Sequence, residues 1–328
     1  MTAMPSTGLN QRVRSFVPVL EWIVVAHSQG NAMQDNVAVQ QGLPIAIIVI
    51  MIGIGLTLTL ADFQRISQKP KPVLVGLIGH YLLLPLLAFT VAWAFALPTE
   101  LAVGLVLVAA CPSGSSSNAL TYLARGNVAL AVTLTVISAL VTFISVPLLI
   151  NLALQVFAGE SRQITLPLGP TIKHLTVLVL VPVMLGMAVR RFAPTFARRV
   201  EPAIGKFSLA LLLLVIMVLV FTERATIGEM LFKVGPAALT LGCSAIGLGY
   251  LLGRACGLVL RDAITVGMEV GVQNATLAIV IALTLLNSPQ IALPGAIYGL
   301  LMYLPALAMV ALGRRAVARE EASAVPTS

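Results

Sequence analysis

The chain contains a succession of apolar segments, each close to the length of a membrane-spanning helix. They lie near residues 43–61, 72–97, 100–125, 128–156, 168–190, 204–222, 235–258, 263–287 and 291–313. A helix needs about 20 mostly apolar residues to cross the hydrocarbon core of a bilayer. At that depth every backbone polar group must be satisfied within the protein, which favours helices. The pattern therefore predicts an all-α polytopic membrane protein.

Composition supports a membrane chain rather than a soluble one. Of its 328 residues, 59% are hydrophobic and only 10% are charged, whereas soluble domains carry about 25% charged residues. Residues 15–40 contain a further, shorter apolar run. The sequence therefore predicts nine spans, or ten if this run also crosses the membrane.

Basic residues are distributed unevenly over the loops between these segments. Fourteen fall on one side: Arg65, Lys69, Lys71, Arg125, Arg190, Arg191, Arg198, Arg199, Lys206, Arg254, Arg261, Arg314, Arg315 and Arg319. The opposite side holds only Arg162, Lys173, Arg224 and Lys233. The positive-inside rule then places the fourteen and the C-terminus in the cytoplasm, which predicts a multi-pass protein of the inner (plasma) membrane. The net charge of +8 thus reflects topology, and we expect no nucleic-acid partner.

One apolar segment, residues 265–286, carries a carboxylate in its middle. Glu269 is followed by Gln273 and Asn274, and no Lys or Arg lies within an apolar core to neutralise it. A charge at the bilayer centre costs about 2.5–3.5 kcal/mol on insertion scales. A bound cation, a proton or a set of hydrogen-bond donors must offset that cost. Gly267 and Gly271 loosen the helix here and would free backbone carbonyls to coordinate an ion.

A second apolar segment is interrupted by the sequence CPSGSSSNALTYLARGN, residues 111–127. Pro112 lacks a backbone donor and Gly114 tolerates unusual dihedral angles, so we expect the helix to break there. Hydroxyl and amide oxygens near the break suit Na⁺, and free N–H groups at a new helix start suit an anion. The alternative is that the serines only allow close helix packing.

The two interruptions resemble each other. Residues 115–120 read SSSNAL and residues 272–277 read VQNATL, each with an Asn-Ala pair inside an apolar segment. With five helices in each half of the chain, both fall in the fourth helix of their half. An odd number of spans inverts one half relative to the other. Paired interrupted helices in inverted halves indicate the central site of a transporter.

The remaining polar residues give weaker indications. His80, in GLIGHYLLLP, is a structural hydrogen-bonding group, a proton carrier or an ion ligand. Hydroxyls such as that of Thr135 usually bond to carbonyls of their own helix. The chain has no phosphate-binding GxxxxGK[ST] loop, no HExxH motif and no Ser-His-Asp arrangement. We therefore expect neither an enzyme nor a chain that itself uses ATP.

The stretches CPSGSSSNALTYLARGNVAL and MEVGVQNATLAI resemble the two crossover helices of the bile acid:sodium symporter family, in its bacterial branch. Supporting matches are GIGLTLTLADF (53–63), GYLLG (249–253) and PGAIYGL (294–300), so the resemblance covers roughly residues 43–313. It implies about ten transmembrane helices in two inverted five-helix repeats. A panel domain and a core domain would pack together, and two broken helices would cross in the core.

The resemblance also implies a division of the chain. Residues 1–14 would be an N-terminal tail, 15–156 the first repeat, 157–167 an external connection, 168–313 the second repeat and 314–328 a cytoplasmic tail.

Two sodium ions are implied, with ligands that follow from the family motifs. The first site would use Ser117, Asn118, Thr135 and Glu269. The second would use the side chains of Glu269, Gln273 and His80 and the carbonyls of Val270 and Val272. The residues facing the substrate would be Ser115, Ser116, Asn274 and Thr276.

The chain departs from the family pattern at three places. Ala131 stands where many relatives have a hydroxyl, His80 where Gln is frequent, and Met302-Tyr303 where a His-Asn pair is frequent. These differences leave the number of ions open and favour a smaller organic acid over a bile acid.

The hypothesis from the sequence is Na⁺-coupled symport of an organic anion by alternating access. Alternatives are proton coupling through Glu269 and His80, an uncoupled carrier, or export of an oxyanion on the Cys111 thiolate. A different class would be a membrane sensor that binds its ligand without moving it. We expect the lipid bilayer and a small organic anion as partners, and a monomer or weak dimer.

Overall fold

A computed structural model describes residues 37–59, 68–158, 167–222 and 227–323. Most of the expected first span, and most of the expected external connection, lie outside these ranges. The chain divides into two units, Met1–Leu43 and Pro44–Ser328, and the second contains the helix packing and the candidate site. The described residues form helices and no strand, and a single isolated β-bridge joins Ser113 to Gln273.

Twelve helices are present in the described ranges. In chain order they are α1 Val37–Thr57, α2 Pro70–Ala94, α3 Thr99–Ala110, α4 Ser116–Leu123, α5 Val128–Ala158, α6 Leu168–Phe192, α7 Pro194–Thr222, α8 Ile227–Ala255, α9 Leu260–Gly271, α10 Ala275–Thr284, α11 Pro289–Leu301 and α12 Tyr303–Ser323. A π-helical turn interrupts α2 at Gly79–Leu83 and α6 at Thr176–Leu180.

The described helices include five that are long and apolar enough to cross a bilayer. These are α2, α5, α6, the Leu231–Ala255 part of α8, and the continuous Pro289–Ser323 rod made by α11 and α12. Shorter apolar helices accompany them, among them α3 and α10. The chain is therefore an all-α, multi-pass membrane protein, as the apolar segments predict.

Two predicted spans are each broken into a pair of helices. The segment 100–125 consists of α3 and α4, with the break at residues 111–115, where Pro112 and Gly114 predict it. The segment 263–287 consists of α9 and α10, with the break at residues 272–274. Pro and Gly account for the first break, whereas contacts with the first break fix the second.

Several helix ends lie outside the predicted segments; α1 begins at Val37 rather than near 43 and α8 at Ile227 rather than near 235. Helix α7 begins at Pro194 rather than near 204, and α12 runs to Ser323, so most of the expected tail 314–328 is helical. Hydropathy detects only the apolar part of a helix, whereas Ala, Arg and Glu continue it into polar surroundings. Glu321 in this extension accepts hydrogen bonds from Arg125 and Arg261, at 3.2 and 2.7 Å.

Glycines allow α1 and α6 to approach closely. A Cβ atom added to Gly55 would lie 2.8 Å from the Cα atom of Gly186, and one added to Gly186 would lie 2.8 Å from the Cα of Gly55. Such contacts are too short for any larger residue, so the two backbones touch at this point. The contact fixes the last turns of α6 beside α1.

Candidate functional site

The two helix breaks bind each other through their backbones. The N–H group of Gly114 donates to the carbonyl of Val272 at 2.9 Å, and the N–H group of Asn274 donates to the carbonyl of Pro112 at 2.9 Å. A broken helix leaves N–H and C=O groups without intrahelical partners, which is costly away from water. Here each break satisfies groups of the other, so the crossing holds both breaks in place.

Hydroxyl groups from the following helices cap the first half of each broken helix. The Oγ of Ser145, on α5, donates to the carbonyl of Ala110, the last residue of α3, at 3.1 Å. The hydroxyl of Tyr298, on α11, donates to the carbonyl of Gly271, the last residue of α9, at 2.7 Å. Tyr298 is fully buried, so this bond has no water to replace it.

We expect Tyr298→Phe to destabilise the protein without changing its shape. The substitution leaves the carbonyl of Gly271 buried without its donor, which costs about 1–3 kcal/mol. Thermal unfolding in detergent should show a lower midpoint. The control is Tyr122→Phe, because Tyr122 is 72% exposed and its hydroxyl reaches the surroundings; equal midpoints for the two variants would contradict the capping role.

Glu269 lies at the centre of the crossing and is 1% exposed. The Oγ of Ser117, on α4, donates to its Oε1, and the Oγ1 of Thr135, on α5, donates to its Oε2 at 2.9 Å. The Oγ of Ser113 donates to the Glu269 backbone carbonyl at 2.8 Å. The carboxylate therefore joins α4, α5 and α9, and three residues of the expected first ion site lie together.

The fourth residue of that set, Asn118, supplies a buried acceptor. Its Oδ1 atom has no hydrogen-bond partner among the described residues. Carboxylate, hydroxyl and amide oxygens are ligands that hard cations prefer, so this group fits Na⁺. Ala131, one turn before Thr135 on α5, is fully buried and offers a methyl group in place of a further oxygen.

The side-chain amide of Gln273 points its nitrogen, rather than its oxygen, toward the Val270 carbonyl, which is expected to bind a second ion. Its amide Nε2 donates to the carbonyls of Val270 at 2.9 Å and Glu269 at 3.2 Å, and its buried Oε1 has no partner among the described residues. The Val272 carbonyl accepts from Gly114. The expected ligands are thus neighbours, but a cation at the Val270 carbonyl requires the amide of Gln273 to turn.

His80 lies in the π-helical turn of α2 and is 3% exposed. Such turns are frequent at functional sites because they re-aim side chains. Its Nε2 lies 3.1 Å from the carbonyl oxygen of Cys111, and its ring packs edge-on against Tyr81 at 4.8 Å. His80 therefore contacts the first break through a backbone carbonyl.

A cavity of about 670 Å³ opens beside the crossing. All four residues expected to face the substrate line it: Ser115, Ser116, Asn274 and Thr276. They lie at the starts of α4 and α10. The Oδ1 of Asn274 caps α10 by accepting from the N–H of Leu277 at 3.0 Å.

The polar residues of the cavity wall include two, Tyr303 and Arg190, to which the sequence assigns no substrate role. The hydroxyl of Tyr303 donates to the Oγ of Ser116 at 3.3 Å and lines the cavity, although the sequence marks Tyr303 only as a departure from relatives. Arg190 lines the cavity from α6, although the loop charges predict only a topological role for it. No sequence signal reveals Arg190, because its place in the wall depends on the contact between Gly186 and the distant Gly55.

Cys111 occupies a position unsuited to a thiolate ligand. It is fully buried, and it is absent from the described residues that line the cavity. This placement disfavours the alternative of oxyanion export on a sulfur ligand.

A helical membrane protein whose two broken helices meet at a buried carboxylate, beside a cavity lined by polar and apolar side chains, is of the membrane-transporter class. Residues 44–230 match the Sodium Bile acid symporter family. The chain belongs to this family, which confirms the resemblance drawn from the crossover motifs.

Relatives span bacteria, plants and animals. The chain is 35% identical over 243 residues to the uncharacterized sodium-dependent transporter YocS of Bacillus subtilis, a match covering 72% of each protein. It is 32% identical to the probable sodium/metabolite cotransporter BASS2 of rice, over 77% of this chain and 59% of that one. It is 30% identical to the human ileal sodium/bile acid cotransporter, over 64% and 60% respectively. The chain thus matches about three fifths of the rice and human proteins.

Proposed function

We propose that the protein is a sodium-coupled symporter of a small organic anion that works by alternating access. The observation that carries this proposal is the buried Glu269 carboxylate, held by Ser117 and Thr135 where the two broken helices cross. The names of several relatives describe sodium-dependent transport, which supports the choice of ion.

Sodium at Glu269 would organise the substrate cavity. Ser117 and Thr135 would turn their hydroxyl lone pairs toward the ion, and the Oδ1 of Asn118 would complete the oxygen set. Because Ser117 adjoins Ser116 on the cavity wall, an ion at Glu269 fixes the start of α4. Coupling follows if sodium binds the substrate-competent state more tightly than the other state.

A second sodium ion would bind between the side chains of Glu269, Gln273 and His80 and the carbonyls of Val270 and Val272. This site depends on rotation of the Gln273 amide, which would bring its partnerless Oε1 to the ion. We therefore assign the coupling role first to the ion that Ser117, Asn118, Thr135 and Glu269 would hold. The second ion remains a proposal that follows from the family.

The proposed architecture has two inverted repeats of five helices, residues 15–156 and 168–313. Each broken pair follows one long helix and precedes another: α2 and α5 flank α3–α4, while α8 and the α11–α12 rod flank α9–α10. This shared order supports the repeat. A core built on the broken helices would move against a panel containing α1, α6 and α7. The protein would lie in the inner membrane, with its C-terminus in the cytoplasm.

Uptake into proteoliposomes tests this function. An inward sodium gradient should drive accumulation of at least one of the short carboxylates from propionate to octanoate, measured by mass spectrometry of the vesicle contents. The control is the same gradient made with potassium, since a larger ion fits poorly among ligands set for sodium. Accumulation under a pH gradient in sodium-free buffer would instead support proton coupling, and saturable binding without accumulation would support a sensor.

A further inference from the structure

The side chain of Arg190 belongs to the cavity wall by virtue of helix packing. It lies in the last turn of α6, is half-buried and lines the cavity. Residues four apart share a helix face, so Arg190 lies on the face of Gly186, which touches Gly55 of α1. Neighbouring residues of α1, among them Gly53 and Thr57, line the same cavity. The contact between α1 and α6 therefore directs Arg190 toward this space.

Arg190 is the charged member of the cavity lining that the structure describes. Among the described residues that line it, Arg190 is the one with a formal charge, and no Asp or Glu belongs to that wall. The wall formed by the broken helices offers neutral polar groups, such as Ser115 and Asn274. Apolar side chains, including Ile50 and Leu212, complete the lining. A ligand here meets one cation, several neutral hydrogen-bonding groups and an apolar surface.

A guanidinium group suits a carboxylate better than other ligands. Its planar fork donates two parallel hydrogen bonds to the two carboxylate oxygens, and charge-assisted bonds of this kind are about twice as strong as neutral ones. Partial burial strengthens the attraction because less water screens it. Because Arg190 and the starts of α4 and α10 line the same cavity, one ligand could touch both.

We propose that Arg190 binds the carboxylate of the transported anion and is the residue that selects a carboxylate over a neutral molecule of the same shape. This inference rests on the proposed function. The carboxylate lies against α6, while the rest of the substrate contacts the starts of α4 and α10. The substrate therefore links α6 to the broken helices, so its binding stabilises their positions relative to each other.

Arg190 also has a structural role at the end of α6, which must be distinguished from carboxylate binding. A cation near the C-terminus of a helix is stabilised by the helix dipole and by the membrane boundary. Arg191 shares that setting, since it follows directly in the same turn of α6, but it is exposed and is absent from the cavity lining among the described residues. Arg191 is thus a matched control that lacks only the contact with the cavity.

The test compares carboxylates with their amides at saturating sodium. Purified wild type, Arg190→Gln, Arg190→Lys and Arg191→Gln are titrated with butyrate, hexanoate and octanoate, and with the corresponding primary amides. Wild type should prefer a carboxylate to its amide. Arg190→Gln should lose about 10- to 100-fold in carboxylate affinity and keep its amide affinity. Arg190→Lys should retain part of the preference, and Arg191→Gln should match wild type.

Sodium titration without any carboxylate tests the proposed sodium coupling separately from the role of Arg190. Arg190→Gln should keep the sodium-dependent thermal stabilisation of wild type, because Arg190 is not among the residues around Glu269. A carboxylate preference retained in Arg190→Gln, or lost equally in Arg191→Gln, would overturn the role of Arg190. Absence of sodium stabilisation in wild type would overturn the proposed function instead.

Discussion

Replacing Glu269 with glutamine is expected to abolish sodium-dependent stabilisation of the purified protein. The amide has nearly the shape of the carboxylate and keeps one oxygen for Ser117 or Thr135, but it removes the charge that balances a cation. Loss of one partner from a buried ion pair costs about 3–5 kcal/mol, which lowers sodium affinity at least about 100-fold. The measurement is the midpoint of thermal unfolding as a function of sodium concentration.

Two comparisons keep this result from being mistaken for misfolding. In sodium-free buffer Glu269→Gln should be at least as stable as wild type, because the variant no longer buries a charge without a cation. Glu229→Gln makes the same chemical change at an exposed carboxylate paired with Lys233, and it should respond to sodium as wild type does. A normal sodium response in Glu269→Gln would refute the proposed ion site.

Gly114→Val is expected to abolish transport by separating the broken helices. A Cβ atom at this position would lie 2.9 Å from the backbone oxygen of Gln273, and that backbone cannot retreat while the Gly114 N–H binds the Val272 carbonyl. The variant should lose both backbone bonds of the crossing, with loss of sodium-driven uptake and a lower unfolding midpoint.

The control for this substitution is Gly247→Val on α8. A Cβ atom at Gly247 has no atom within 4 Å, so the same increase in size meets no obstacle. Gly247→Val should transport at the wild-type rate. Wild-type uptake by Gly114→Val would show that the close crossing is not required for the transport cycle.

Local sequence rules account for much of the fold. Pro112 lacks a backbone donor and Gly114 follows it closely, so together they favour a break, and α3 ends at Ala110, two residues before Pro112. Glu269 is recognisable because a carboxylate inside an apolar segment requires a partner. These features depend only on residues adjacent in the chain, so they can be predicted without knowledge of tertiary contacts.

Features that depend on distant contacts could not be derived in this way. Thr135 is expected to bond within its own helix, yet it donates to Glu269 of α9; family resemblance, not helix chemistry, suggested its place. Tyr298 caps Gly271 from a different helix. Arg190 reaches the cavity because Gly186 packs on Gly55, and loop charges alone give it only a topological meaning.

Equilibrium binding of radiolabelled sodium to the purified protein tests the central claim most directly. Wild type should bind sodium saturably, unlabelled sodium should compete, and potassium and choline should not. Glu269→Gln and the double variant Ser117→Ala/Thr135→Val, which removes both hydroxyls that contact the carboxylate, should show no saturable binding in the concentration range that saturates wild type. Saturable sodium binding of wild-type affinity in Glu269→Gln would contradict the account, because the ion would then be held elsewhere.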